Sequence, residues 1–167
     1  MNDLVFTSYS FGDLYCRQQD RLRDSILKIY PDANIRFWKD PNPKTDNDPE
    51  NMPPGAQPFM DSMYGFKVHC IQACLDQGFK KIIFLDAAMV LEREIDSILG
   101  KAEDIGVVTV IDPSSLYDRC SDAALDYFGR DRESIKDLTI VGGSLYVFDF
   151  NLDVANAVFS DWYTMRS

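Results

Sequence analysis

The run Lys80-Lys81-Ile82-Ile83-Phe84-Leu85-Asp86-Ala87-Ala88-Met89-Val90-Leu91 constrains the fold of this chain more than any other segment. Ile82-Ile83-Phe84-Leu85 is apolar at every position, without the in-and-out alternation of a half-wetted strand. It therefore reads as a strand buried on both faces, as in a parallel sheet covered by helices. The strand delivers one carboxylate, Asp86, to its C-terminal end, and in open α/β sheets ligands bind outside the carboxyl ends of the strands. An acid placed there meets a metal, a metal-bound phosphate or a sugar hydroxyl. The plainer alternative is an aspartate that only shapes a turn, which strand-to-helix connections favour.

The remaining sequence supplies neighbours for such a strand. Leu4-Val5-Phe6-Thr7-Ser8-Tyr9 reads as a first strand entering the polar turn Ser10-Phe11-Gly12-Asp13, without the glycine fingerprint of a dinucleotide site. Residues 14–30 follow a helical pattern, with Leu22, Ile26 and Ile29 on one stripe, Arg17, Arg21, Arg23 and Lys28 toward water, and Pro31 as the stop. Asn34–Trp38 is a second strand. Residues 39–58 hold Pro41, Pro43, Pro49, Pro53, Pro54 and Pro58 and read as a long irregular loop, either a lid or a surface excursion. A helix over 61–77 places Phe66, Cys70, Ala73, Cys74 and Gln77 on one face and ends at Gly78.

After the Asp86 strand come a short Met89–Leu91 extension, a helix near 94–101, and a buried strand, Ile105–Ile111, ended by Asp112-Pro113. A helix near 121–128, a strand Thr139–Phe148 broken by Gly142-Gly143, and a closing helix over 152–164 complete the order. The alternation predicts one α/β domain over residues 1–167, a mainly parallel sheet flanked by helices with right-handed crossovers.

A net charge of −10 and a pI near 4.4 argue against nonspecific binding of nucleic acid or of an anionic membrane, since both need clustered cations. They leave nucleotides open, because one or two local cations suffice for those. Cys16, Cys70, Cys74 and Cys120 form no CxxC, and the lone His69 completes no zinc set. Cys70 and Cys74, four residues apart on a helix, read as buried free thiols, which suits a reducing compartment. No apolar run reaches transmembrane length and the N-terminal MNDLVFTSYS reads as a strand, so a cytoplasmic location is expected.

Three motifs in this order carry a family resemblance: Thr7-Ser8-Tyr9 at the end of the first strand, Asp86-Ala87-Ala88 at the end of the apolar strand, and Val141-Gly142-Gly143-Ser144 ahead of Leu145-Tyr146-Val147-Phe148-Asp149. The chain resembles the nucleotide-diphospho-sugar glycosyltransferases of the GT-A fold over most of its length. Tyr64 through Leu91 is similar to the helix-strand unit that carries their acid motif. The resemblance implies a donor site made of Thr7, Ser8, Tyr9, Lys67, Asp86, Ala87, Ala88, Gly142 and Gly143. It also implies a nucleotide-sugar donor, UDP-sugar by default, a glycan or other acceptor, and Mn2+ or Mg2+ at Asp86. Lys67 would reach the diphosphate. A leaving diphosphate gathers negative charge, which a divalent metal or a cationic side chain stabilises.

Two departures qualify that picture. Ala88 stands where the family's second acid falls, and the chain ends earlier than many relatives. A catalytically degenerate nucleotide-sugar-binding module of the same fold is the alternative. A phosphatase of the haloacid-dehalogenase type fits poorly, because its second Asp and Gly-Thr are absent. Residue by residue, the plainer readings are a solvated helix Lys67, a bulge at Gly142-Gly143, a turn at Asp112-Pro113, a structural His69, a core Trp38, and Asp149 capping the last helix.

Overall fold

The computed structural model describes residues 3–39, 52–55 and 65–165. In chain order it holds β1 (Leu4–Ser10), α1 (Gly12–Ile29), β2 (Asn34–Lys39), α2 (Phe66–Asp76), β3 (Lys81–Leu85), α3 (Asp96–Ile105), β4 (Val107–Ser115), α4 (Leu116–Arg119), α5 (Asp122–Tyr127), a 3-10 turn at Glu133–Ile135, β5 (Thr139–Asp149) and α6 (Asp153–Met165). Most of the 39–58 loop and the first residues of the expected 61–77 helix lie outside the described residues.

The sheet order is β2-β1-β3-β5-β4. β1 runs parallel to both β2 and β3, and β5 runs antiparallel to β3. The sheet is thus mixed and mostly parallel, as the apolar run of β3 predicted. Registered rows explain why no residue of Ile82–Leu85 is polar. Val5, Ile82 and Phe148 stand abreast and belong to one core cluster, whereas Phe6, Ile83 and Val147 stand abreast and belong to another. Successive strand residues point to opposite faces, so a strand covered on both sides must be apolar throughout.

The first cluster gathers residues of α2 and α6, including Phe66, Cys70, Ile71 and Phe159. The second takes Leu22 and Ile26 from α1 and Ala102 from α3. Leu22 and Ile26 are fully buried on the predicted stripe of α1, and Gly78, at φ 91, ends α2 in the left-handed region that glycine enters most easily.

The chain divides into two compact units, residues 1–108 with 144–167, and residues 109–143. The first contains both core clusters. Within the second, the Thr109 hydroxyl donates to the Gly142 carbonyl at 3.1 Å. Ser115 and Ser121 cap α4 and α5 by accepting from the Tyr117 and Ala124 amides, and Leu125 and Ile135 are its buried apolar residues.

Several boundaries differ from the sequence expectation. Met89–Leu91 is not a strand, and β4 runs through Asp112-Pro113 to Ser115. The Asp112 carboxylate accepts from the Ser114 amide at 2.8 Å, and hydrogen bonding by the Ser114 side chain, followed by that amide, holds its pKa below the ordinary value. β5 passes through Gly142-Gly143 unbroken. A Cβ on Gly142 would stand 2.7 Å from Val110 Cγ2 and 3.2 Å from the Val110 carbonyl oxygen, so close strand approach, rather than a bulge, explains that glycine.

Candidate functional site

β3 stops at Leu85, and the backbone turns at once: the Asp86 carbonyl accepts from the Met89 amide at 3.0 Å, while the Asp86 amide donates to the Ser144 carbonyl at 2.9 Å. The turn is closed by backbone groups, which leaves the Asp86 carboxylate for other work. It lies 3.0 Å from the Lys67 ammonium. The two residues come from separate elements, and the fold makes them an ion pair at the carboxyl end of β3.

The burial of the pair is lopsided. Lys67 is 5% exposed, whereas the Asp86 side chain is 39% exposed. The solvated-helix reading of Lys67 is therefore overturned. From Phe66 to Ile71 every residue of α2 is buried, so this end of the helix has no water-facing side. The ammonium also lies 5.3 Å from the centre of the Phe84 ring and 5.9 Å from that of Phe66, within the range of cation–π attraction. A cation held so far from water requires a counter-charge, and Asp86 provides it.

A cleft of about 260 Å³ opens beside the pair, lined by Tyr9, Phe11, Tyr15, Phe66, Asp86, Ala87 and Ala88. Tyr9 stacks on Phe66 with ring centres 4.3 Å apart, and Phe11 stacks on Tyr15 at 4.7 Å. Arg21 donates to the Ala88 carbonyl at 3.1 Å, which brings a second cation to the same turn. Behind the pair, Tyr146 packs on Phe84 and Trp162. Burial raises the Tyr146 pKa, and the negative charge of Asp86 adds to that shift.

The residues singled out in the sequence thus fall into three groups. Tyr9, Asp86, Ala87 and Ala88 line the cleft, and Lys67 pairs with Asp86. Thr7 and Ser8 are fully buried; the Thr7 hydroxyl donates to the Arg36 carbonyl at 2.8 Å, which ties β1 to β2. Gly142 and Gly143 belong to the second unit, and their part in donor binding remains what the resemblance implies. Phe11, Tyr15 and Phe66 were not anticipated as cleft residues. Phe11 and Tyr15 are four apart where the chain enters α1, a spacing that sets two rings on one face, and this was the signal available in the sequence.

His69 is structural, as expected: its Nδ1 lies 3.2 Å from the Pro54 carbonyl oxygen, and its ring meets Tyr163 edge-on. Asp149 holds the turn before α6 by accepting from the Asn151 amide and side chain at 3.0 and 2.8 Å. Cys70 and Cys74 are buried free thiols; burial raises the Cys74 pKa to about 11 and drives that of Cys70 well above its ordinary value.

Among the described residues the donor set does not fit a divalent metal. Mg2+ and Mn2+ sites are built from carboxylate, carbonyl and water oxygens. Among the described residues that line the cleft there is one carboxylate, and it is bonded to an ammonium. Ala88 offers no side-chain donor, and among the described residues no three His, Cys, Asp or Glu side chains gather.

In comparison with solved structures, the fold is similar to that of glycosyltransferases. The chain matches the apo structure of the bifunctional glycosyltransferase WbbM with a TM-score of 0.58 and 13% identity, over 96% of this chain and 34% of that one. It matches an active-site mutant of LgtC with a TM-score of 0.51 and 11% identity, over 98% of this chain and 65% of that one. The chain thus spans about two-thirds of LgtC and one-third of WbbM. Identities this low make the likeness one of fold. No protein-family model and no curated protein matches the chain.

Proposed function

We propose that this chain is a nucleotide-sugar-binding domain of a glycosyltransferase that moves a sugar from a nucleoside diphosphate to an acceptor hydroxyl. The observation that carries this reading is the Lys67–Asp86 pair at the carboxyl end of β3, set beside an aromatic cleft in a sheet with the glycosyltransferase fold. The chemistry requires a planar base, a ribose and a diphosphate to be held in line. Tyr9, Phe11 and Tyr15 offer faces for the base, Asp86 an acceptor for a hydroxyl, and Lys67 a positive charge for the diphosphate. In transfer, the bond between the anomeric carbon and the diphosphate oxygen breaks. The acceptor oxygen bonds to that carbon and gives up its proton, and the charge gathering on the diphosphate is what a fixed cation stabilises.

Ala88 favours a second reading, a module that binds the donor without turning it over. Thermal shift with a panel of nucleotide sugars, with and without Mn2+, followed by release of free nucleotide, separates the two. Stabilisation with slow hydrolysis of a UDP-sugar supports the transferase, and stabilisation without hydrolysis supports the binding module. Failure of every nucleotide sugar to stabilise the protein would refute both.

A further inference from the structure

Between β3 and α3 the chain runs from Asp86 to Ile95 without helix or strand, yet its first residues, Asp86, Ala87 and Ala88, line the cleft. Backbone groups in such a stretch need partners outside it. Three of them find side chains of α1 or of Tyr30, the residue that ends it. The Arg21 guanidinium donates to the Ala88 carbonyl at 3.1 Å, and the Leu91 amide donates to the Ser25 hydroxyl oxygen at 3.0 Å. The Ile95 amide donates to the Tyr30 hydroxyl oxygen at 2.8 Å, and that hydroxyl donates to the Asp96 carboxylate at 2.9 Å. Arg21 and Ser25 are four residues apart, so they are neighbours along the helix surface. Met89, Leu91 and Ile95 join the core cluster that holds Leu22 and Ile26, so the same helix grips this arm by packing as well. The aromatic wall of the cleft also comes from α1: Phe11 is its N-cap, and Tyr15 lies near its start. One helix thus carries those rings and ties down the stretch that begins with Asp86.

We infer that Arg21 and Ser25 are positioning residues for the ligand of this cleft, fixing the 86–95 arm against α1 so that Asp86, Ala87 and Ala88 keep their places beside the rings. Neither side chain is among the described residues that line the cleft, and both act through the backbone of the arm. The inference rests on the nucleotide-sugar reading and adds to it a coupling between the arm and the bound ligand. When the arm leaves α1 the binding site is broken, so a bound ligand suppresses that opening by the factor 1 + [L]/Kd.

The test is amide hydrogen exchange of the full chain, read by mass spectrometry over residues 86–95 with and without UDP, beside calorimetric titration with UDP. At about ten times its dissociation constant, UDP should slow exchange of the arm by about tenfold. In the free protein, Arg21→Ala and Ser25→Ala should each speed that exchange by about two- to tenfold, the worth of one hydrogen bond. The double variant should bind UDP about threefold more weakly or worse, with its circular dichroism unchanged. Ser25→Ala alters no charge and should share in that loss, which separates positioning from attraction for phosphate. Ser25→Thr, which keeps the hydroxyl, should restore both exchange and affinity. Should the double variant fail to fold, protection of the unmodified arm by UDP decides the matter. Binding of UDP that leaves exchange of the arm unchanged overturns the inference and leaves the nucleotide-sugar reading intact. Faster exchange in the variants with undiminished affinity also overturns it, because the contacts would then serve the fold alone. Neither heat nor protection on adding UDP removes the nucleotide-sugar reading itself, and the inference with it.

Discussion

Replacing Asp86 by Asn should cost the fold more than replacing Lys67 by Met, although both break the same ion pair. Over 3.0 Å at an effective dielectric of 20, the bare attraction is about 5–6 kcal/mol, an upper limit before desolvation is counted. What remains after each substitution decides the outcome. Asp86→Asn leaves an ammonium on a residue only 5% exposed. Stranding a charge in a buried pair costs about 3–5 kcal/mol. The Asp86 side chain is 39% exposed, so water reaches the outer side of the pair. The new amide oxygen still accepts from Lys67, and the expected loss falls to about 2–3 kcal/mol. Lys67→Met keeps an apolar stem against Phe66 and Phe84 and leaves a carboxylate that water can solvate, at a cost of about 0–1 kcal/mol. Urea denaturation followed by tryptophan fluorescence reads the difference. With a slope of about 1–3 kcal/mol per molar, Asp86→Asn should lower the midpoint by about 1 M, and Lys67→Met by much less. A Lys67→Met protein that unfolds at lower urea than Asp86→Asn would refute the reasoning, because it would place the greater burden of burial on the acid.

Burial lifts the Cys74 pKa from 9.0 to about 11, so the folded state holds that proton more tightly than the unfolded chain does. The associated stability is intact below pH 9 and is lost as pH rises toward about 11, by at most about 2.7 kcal/mol; urea midpoints across that range should fall, and Cys74→Ala should flatten the decline, whereas an unchanged slope in the variant would count against this origin. Gly106 sits at φ 85, and a Cβ there would stand 2.4 Å from Val154 Cγ1 and 3.2 Å from the Ala155 nitrogen. Gly106→Ala should therefore cost about 2–4 kcal/mol in the same assay, and a loss below about 0.5 kcal/mol would show that α6 yields easily. Tyr15→Ala removes an exposed ring from the cleft wall; it should leave the urea midpoint nearly unchanged and weaken UDP binding by about 1–2 kcal/mol, with undiminished affinity contradicting a base-stacking role.

How much of this was legible in the sequence depended on whether a residue's surroundings lay nearby in the chain. The burial of β3 could be read directly, because a strand with no polar position admits water on neither face. Leu22 and Ile26 showed themselves through helical spacing, and Gly78 through its place after the last turn of α2. Lys67 did not: a lysine on a helix ordinarily faces water, and only the packing of α2 beneath the sheet's carboxyl end buries it against Phe84 and Asp86. Gly142 was expected to break its strand, because a glycine pair disfavours extended structure locally. The reason it fits lies some thirty residues away, in the Val110 atoms that leave no room for a side chain. Asp112-Pro113 looked like a strand end for the same reason, yet β4 continues through it. Asp86 was legible as an acid at the end of an apolar strand, and it lines the cleft, but its ammonium partner and the Phe11–Tyr15 wall depend on tertiary packing.

The most direct measurement is a crystal structure of the protein soaked with UDP or a UDP-sugar. The base should lie against the Phe11 and Tyr15 rings, the ribose or sugar hydroxyls should approach Asp86, and the diphosphate should come within hydrogen-bonding reach of Lys67. Nucleotide density seated away from the Tyr9–Asp86–Ala88 cleft, or a saturating soak that leaves this cleft empty, would contradict the assignment.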